Sequence, residues 1–322
     1  MTKRLKVLPL NLDIPQSYDA LVATVGFEAR ATYVARRLNG HVNEVWAFDY
    51  HQNHVHSYDL NREYFASHRI LSEADSAYRK TLSYLVAEAR ALQPKDATTG
   101  ERAIPRIAVD ISCMDRDRLA RTVMAVTIDQ TEPLHVDFLY SFGEFDENLV
   151  GSEGTVLVNR PVEGLEGWPT DPDAGLTCLL GLGFESRLAL AAIETLEPSQ
   201  TIALMPRGED SRYDEVVRLR NSDLLSSDAI AASHDYRVPD LLQTVLDLDA
   251  SVSALTRRGR VVIVPLGPKT FALAAVLVAI AHAENVTVWR LSADDGRHPE
   301  DRLESGLLVG ITVEIQGEDE PL

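Results

Sequence analysis

One pentapeptide occurs twice in this chain. Gly26-Phe27-Glu28-Ala29-Arg30 returns 157 residues later as Gly183-Phe184-Glu185-Ser186-Arg187. Each copy follows an apolar run, Leu21-Val22-Ala23-Thr24-Val25 or Leu176-Thr177-Cys178-Leu179-Leu180, and each precedes an apolar, Ala-rich pattern at helical spacing. A strand that stops at a glycine and turns into a helix gathers backbone N–H groups and the positive end of the helix dipole at one point, where an anion is welcome. The chain is thereby constrained to a fold that makes the same strand–loop–helix corner twice.

The repeat extends beyond the corner. At the same offset, Asn43–Phe48 falls on Gln200–Met205, and both read as strands. Polar loops containing Tyr58-Asp59 and Tyr213-Asp214 follow, then helical patterns over 76–92 and 239–255. The continuous apolar runs Arg106–Asp110 and Arg260–Val264 suit strands buried on both faces of a parallel sheet. Helices over 112–128 and 268–282 and strands over 135–140 and 286–291 complete each half. The order β-α-β-α-β-α-β predicts an α/β fold of two duplicated Rossmann-like halves. The Gly, Pro and acidic residues of 163–173 read as a linker, which sets the halves at 1–167 and 168–322, with a frayed acidic tail over 316–322.

The pattern Phe271–Ala281 has no polar face, so that helix must be covered on every side. Its counterpart over 119–128 is the expected cover, which would pack the halves as an intramolecular pseudo-dimer. A second copy of the chain is the alternative cover.

Composition narrows the function. The net charge of −18 repels a phosphate backbone and argues against broad nucleic-acid binding, while leaving room for a local anion pocket. No apolar run reaches the roughly 18 residues of a membrane span, and the basic start lacks the apolar core of a signal peptide. Two cysteines make no disulfide framework or zinc knuckle, so a cytoplasmic protein without cofactor or metal is expected.

In open α/β sheets ligands sit beyond the carboxyl ends of the strands, at the point where strand order reverses. Two loops of each half should converge there: Gly26–Arg30 with Asp110–Arg116, and Gly183–Arg187 with Pro265–Thr270. Gly267-Pro268-Lys269-Thr270 is the sharpest of the four. Proline starts a helix well, but lysine in the first turn opposes the dipole, by a few tenths of a kcal/mol, unless an anion is bound. A capped helix with Lys269 paired to an acid is the other reading. The loop lacks the full spacing of a nucleoside-triphosphate loop.

Glu28 with Arg30, and Glu185 with Arg187, have two readings. Either each pair fixes its own corner, or the arginine holds phosphate while the glutamate takes a ribose hydroxyl or acts as a base. Asp110, ending a buried strand beside Ser112, is the stronger candidate base. Arg116 would assist at phosphate. Cys113 lacks the arginine six positions on that a phosphatase loop needs, since Leu119 stands there, and reads as a small buried side chain. His51, His54 and His56 with Asp49 and Asp59 match no zinc signature and read as a solvated loop.

Paired Rossmann-like units with Gly267-Pro268-Lys269-Thr270 opening an apolar Ala-rich helix, and more loosely Asp110-Ile111-Ser112 with Arg116, resemble the CRISPR-associated Rossmann fold (CARF) sensors and the fused SAVED domains. The resemblance implies a sensor of a nucleotide-type ligand in antiphage signalling, bound in a cleft between the halves. The candidate ligand-binding residues, read from the four converging loops, are Gly26, Glu28, Arg30, Ser112, Arg116, Gly183, Glu185, Arg187, Gly267, Lys269 and Thr270. Two alternatives stand beside it: a hydrolase or transferase acting on a nucleotide or phosphosugar, with Asp110 or Glu28 as base, and a non-catalytic subunit whose acidic surface docks a basic protein partner.

Overall fold

The computed structural model describes residues 5–50, 54–72, 74–146, 155–167, 171, 173–294 and 300–317. These form two α/β units. The first ends at Glu144 and regains the chain after the second, which begins at Phe145.

The first unit runs β1 (Leu5–Pro9), β2 (Tyr18–Val25), α1 (Tyr33–Arg37), β3 (Val42–Asp49), α2 (Tyr58–Phe65), β4 (Arg69–Leu71), α3 (Asp75–Ala91), β5 (Arg106–Asp110), α4 (Arg116–Val126) and β6 (Leu134–Gly143). The second runs β7 (Thr155–Pro161), β8 (Leu176–Gly181), α5 (Ser186–Leu196), β9 (Gln200–Arg207), α6 (Ser211–Arg220), α7 (Ser222–Leu225), β10 (Ala232–Arg237), α8 (Leu241–Leu255), β11 (Arg260–Pro265), α9 (Lys269–Ala281) and β12 (Val286–Asp294). β13 (Glu304–Ile315) returns to the first sheet.

Each sheet has a parallel core in the same order, β4-β3-β2-β5-β6 in one and β10-β9-β8-β11-β12 in the other. That is the doubly wound arrangement, with strand order reversing between β2 and β5 and between β8 and β11. Antiparallel strands close the edges: β13 and then β1 beyond β6, and β7 beyond β12.

The central strands are buried on both faces, and alternate residues pack against opposite helical layers. Leu21, Ala23 and Val25 of β2 pack with Val34 of α1 and Phe65 of α2. On the opposite face Phe48 meets the ring of Tyr78 from α3 at 4.6 Å, and the Tyr78 hydroxyl lies 2.7 Å from Oγ1 of Thr122 on α4. In the second unit Leu180 of β8 and Val262 of β11 pack with Leu188 of α5 and Val217 of α6, while α8 and α9 lie against each other. Every residue of α9 from Thr270 to Ile280 is buried, as its lack of a polar face requires. Among the described residues no helix is long and apolar enough to cross a membrane.

Three expectations need correction. The units divide at 144/145 and again after the second sheet, whereas the linker composition pointed to 167/168; β7 and β13 pair across that simple division. Trp168, Pro169, Thr170 and Pro172 of the expected linker, and 318–322 of the tail, lie outside the described residues. Each parallel core has five strands where four were expected, because β4 is three residues long and β10 is a polar edge strand. The first corner opens into a short 3-10 turn, Ala29–Thr32, and the five-residue α1, while only the second opens into a long helix.

A buried polar knot ties β13 to the parallel core. Asp137 on β6 is fully buried and accepts from Tyr18 Oη at 2.8 Å, from Arg106 Nε at 2.9 Å and from Thr312 Oγ1 at 2.6 Å. Removing one partner of such a buried pair strands the other charge, at a cost of about 3–5 kcal/mol. Asp137→Ala should lower unfolding stability by roughly 3 kcal/mol in equilibrium urea denaturation. Burial pushes the Tyr78 hydroxyl up to about 12. The unfolded tyrosine ionises near 10, so the folded state keeps this proton longer. The resulting stabilisation is whole below about pH 10 and is lost as pH rises through about 12, which thermal melts across that window should record and Tyr78→Phe should flatten.

Candidate functional site

Loops meet at both reversal points, and the meeting is main chain to main chain in the second unit. A Cβ at Gly183 would strike the carbonyl oxygen of Leu266, and one at Gly267 would lie 2.6 Å from the carbonyl oxygen of Leu182. Only glycine permits that approach. The contact places the first turns of α5 and α9 on two adjoining loops. In the first unit the approach is looser: a Cβ at Gly26 would sit 3.4 Å from the Cys113 Cβ.

The first corner is filled by the protein itself. Arg30 is 1% exposed. Its Nε donates to Glu28 Oε2 at 2.6 Å, Nη1 to the Ser141 carbonyl at 2.7 Å and Nη2 to the Ser112 carbonyl at 3.3 Å. The corner's anion is Asp301 from the returning chain, which accepts from the Ala29 N–H at 2.6 Å and from Ser57 Oγ at 2.8 Å. Asp110 is 3% exposed and takes the Ser112 N–H at 2.9 Å; Ser112 Oγ takes the Ser141 N–H at 2.8 Å. The ion pair of Glu28 with Arg30 is the contact expected of the reading in which each pair fixes its own corner.

Around the start of α4 the same holds. Asp115 caps the helix through the Arg118 N–H at 2.8 Å, and its own N–H donates to Tyr50 Oη at 2.8 Å. The buried Arg118 guanidinium stacks 3.6 Å over the Tyr50 ring. Burial drives the Tyr50 hydroxyl well above its ordinary range. Arg116, half-buried, opens the helix.

The second corner differs in content. Glu185 is half-buried and makes no side-chain cap, and Arg187 is exposed on α5. Pro268 precedes α9 and offers no capping side chain; the Phe271 and Ala272 N–H groups turn back to its carbonyl. Lys269 is half-buried. Thr270 is 1% exposed, and its hydroxyl makes no hydrogen bond. Helical side chains tilt toward the N-terminus, so in the first turn this hydroxyl leans toward the mouth of the helix. Tyr236 stands beside it, with its hydroxyl 3.0 Å from the position of a Gly267 Cβ and its ring 5.1 Å from that of Phe271.

Sequence reading missed three residues here. Asn61 donates to the carbonyls of Gly26 at 2.9 Å and Glu28 at 2.8 Å, and Asn221 donates to the Gly183 carbonyl at 2.9 Å. Both asparagines are buried and clamp their corner from the next helical segment; their separation, 61 to 221, lies close to the repeat offset and was the available signal. Asp301 carried no signal, since it reaches its corner from 272 residues away.

Cys113 is half-buried and in no disulfide, and burial pushes Cys178 up to about 12. Among the described residues no three His, Cys, Asp or Glu side chains group to hold a metal. His54 stacks on Tyr58 at 4.0 Å, whose hydroxyl is bonded to Asp49; His51 lies outside the described residues.

No family model matches the chain, and no curated protein matches it. Among solved structures it is similar to phosphoethanolamine N-methyltransferase 1 of Haemonchus contortus in complex with phosphoethanolamine and S-adenosylhomocysteine. Identity is 8%, the match covers 94% of this chain and 88% of that one, and the TM-score is 0.22, too low to bear on fold or site.

The two arginines of the repeated motif should respond differently to mutation. Arg30→Met should cost roughly 3 kcal/mol of stability by leaving Glu28 and two buried carbonyls without their donor. Arg187→Met, at an exposed position, should stay within about 0.5 kcal/mol. Urea denaturation of the two variants tests the assignment.

Proposed function

We propose that the second unit binds a nucleotide-type phosphorylated ligand at the mouth of α9, as a sensor or binding module of the kind that CARF and SAVED domains represent. The observation that carries this reading is the buried Thr270 hydroxyl without a partner, in the first turn of a helix that has no capping side chain. A buried hydroxyl left unsatisfied costs about 1–3 kcal/mol, and an anion at this place relieves it. The location supports the reading too, because ligands of doubly wound sheets gather where strand order reverses. Lys269 supplies charge and Thr270 a hydroxyl, while Glu185 and Arg187 stand at the start of the adjoining helix.

A thermal-shift screen against mono-, di-, tri- and cyclic nucleotides and phosphosugars tests the proposal. A ligand at about 100 times its dissociation constant adds about 2.7 kcal/mol, a rise of several degrees for units of this size. The expected result is a shift confined to one nucleotide class and lost in Thr270→Val and Lys269→Ala. Thr270→Val removes the unsatisfied hydroxyl without changing shape, so the unliganded variant should melt no lower than the parent protein. A flat screen, or an undiminished shift in Thr270→Val, overturns the reading.

A further inference from the structure

A second recognition surface lies at the other end of the first sheet, at the starts of β2 and β3. A cleft of about 200 Å³ opens there, lined by Asp19, Glu44, Trp46, Glu88, Leu92 and Pro94 among others. Its lining is mixed, with Trp46, Ala89, Leu92 and Pro94 set among Asp19, Asn43, Glu44, Glu88 and Gln93. Trp46 forms a buried base, and Leu92, at 73% exposure, and the exposed Pro94 stand beside it.

Three carboxylates edge this groove, and each is held by a single oxygen. Asp19 Oδ2 accepts the Arg106 N–H at 2.8 Å, Glu44 Oε2 accepts Trp46 Nε1 at 3.0 Å, and Glu88 Oε2 meets Arg69 Nη1 at 3.1 Å. Among the described residues the second oxygen of each accepts no hydrogen bond. The groove also lies at the end of α3, whose last turn holds Glu88 and whose C-cap is Leu92. The C-terminal end of a helix is its negative pole and favours a cation. Apolar side chains beside uncommitted carboxylate oxygens match an aliphatic stem that ends in a positive charge, the anatomy of arginine and lysine.

We propose that this groove docks a basic segment of a protein partner, seated by one arginine or lysine side chain. The occupant follows from charge complementarity: a chain of net charge −18 draws basic partners, and here Asp19, Glu44 and Glu88, the last beside Arg69, line a concave surface together with Trp46 and Leu92. The proposal is independent of the ligand at α9, which belongs to the other unit.

Fluorescence anisotropy of the full chain with fluorescein-labelled nona-arginine, and with nona-citrulline as its neutral counterpart, tests it. Nona-arginine should bind and nona-citrulline should not. Glu44→Gln/Glu88→Gln should weaken binding about tenfold or more, and Leu92→Ser about threefold. The control Glu215→Gln/Asp223→Asn, which removes two exposed carboxylates from the second unit, should change it less than twofold. Equal weakening in the two double variants would mean general charge attraction and overturn the proposal. So would displacement of the peptide by spermidine at equal charge concentration, which would make the groove a polyamine site.

Discussion

The structure depends on how closely two loops approach at the place where strand order reverses. Gly183 against Leu266 and Gly267 against Leu182 leave no room for a side chain, so backbone meets backbone. That approach fixes the starting points of α5 and α9 next to each other. A corner built this way gathers positive helix ends by geometry alone. The two units answer that geometry differently.

In the first unit the answer is internal. Asp301 occupies the corner N–H, Arg30 is inserted beneath it, and Asn61 holds the turn's carbonyls. In the second unit the asparagine clamp is retained in Asn221, but the arginine has moved to the surface and a lysine and a threonine stand at α9 instead. The two corners thus share a backbone plan and an asparagine clamp and differ in their other side-chain contacts. The shared pentapeptide marks the common architecture and says little about chemistry, which is why Glu28 and Glu185 have different surroundings despite their identical context.

The architecture was legible in sequence because parallel strands buried on both faces are long apolar runs, and β2, β5, β8 and β11 all read that way. The helix α9 was legible for the same reason. Edge strands were not. β10 carries Ser233, His234 and Asp235 toward solvent, and β4 is too short to show a period. The site was legible as a pair of converging loops, since glycine and proline punctuate the chain there. Which of its residues are braces was not, because bracing depends on partners far away in sequence: Asp301 for Ala29, Ser141 for Arg30. A buried arginine and an exposed one look alike in a pentapeptide.

The path of the chain has a further consequence, for biosynthesis. The second unit is an insertion between β6 and β13, and the first sheet lacks β13, with the Thr312 contact to Asp137, until that segment has been made. A ribosome moving at about 5–20 residues per second therefore delivers the inserted unit whole while the enclosing one still waits for its closing strand. β6 is without its antiparallel neighbour for that interval, an unpaired strand edge of the kind that invites pairing with another chain.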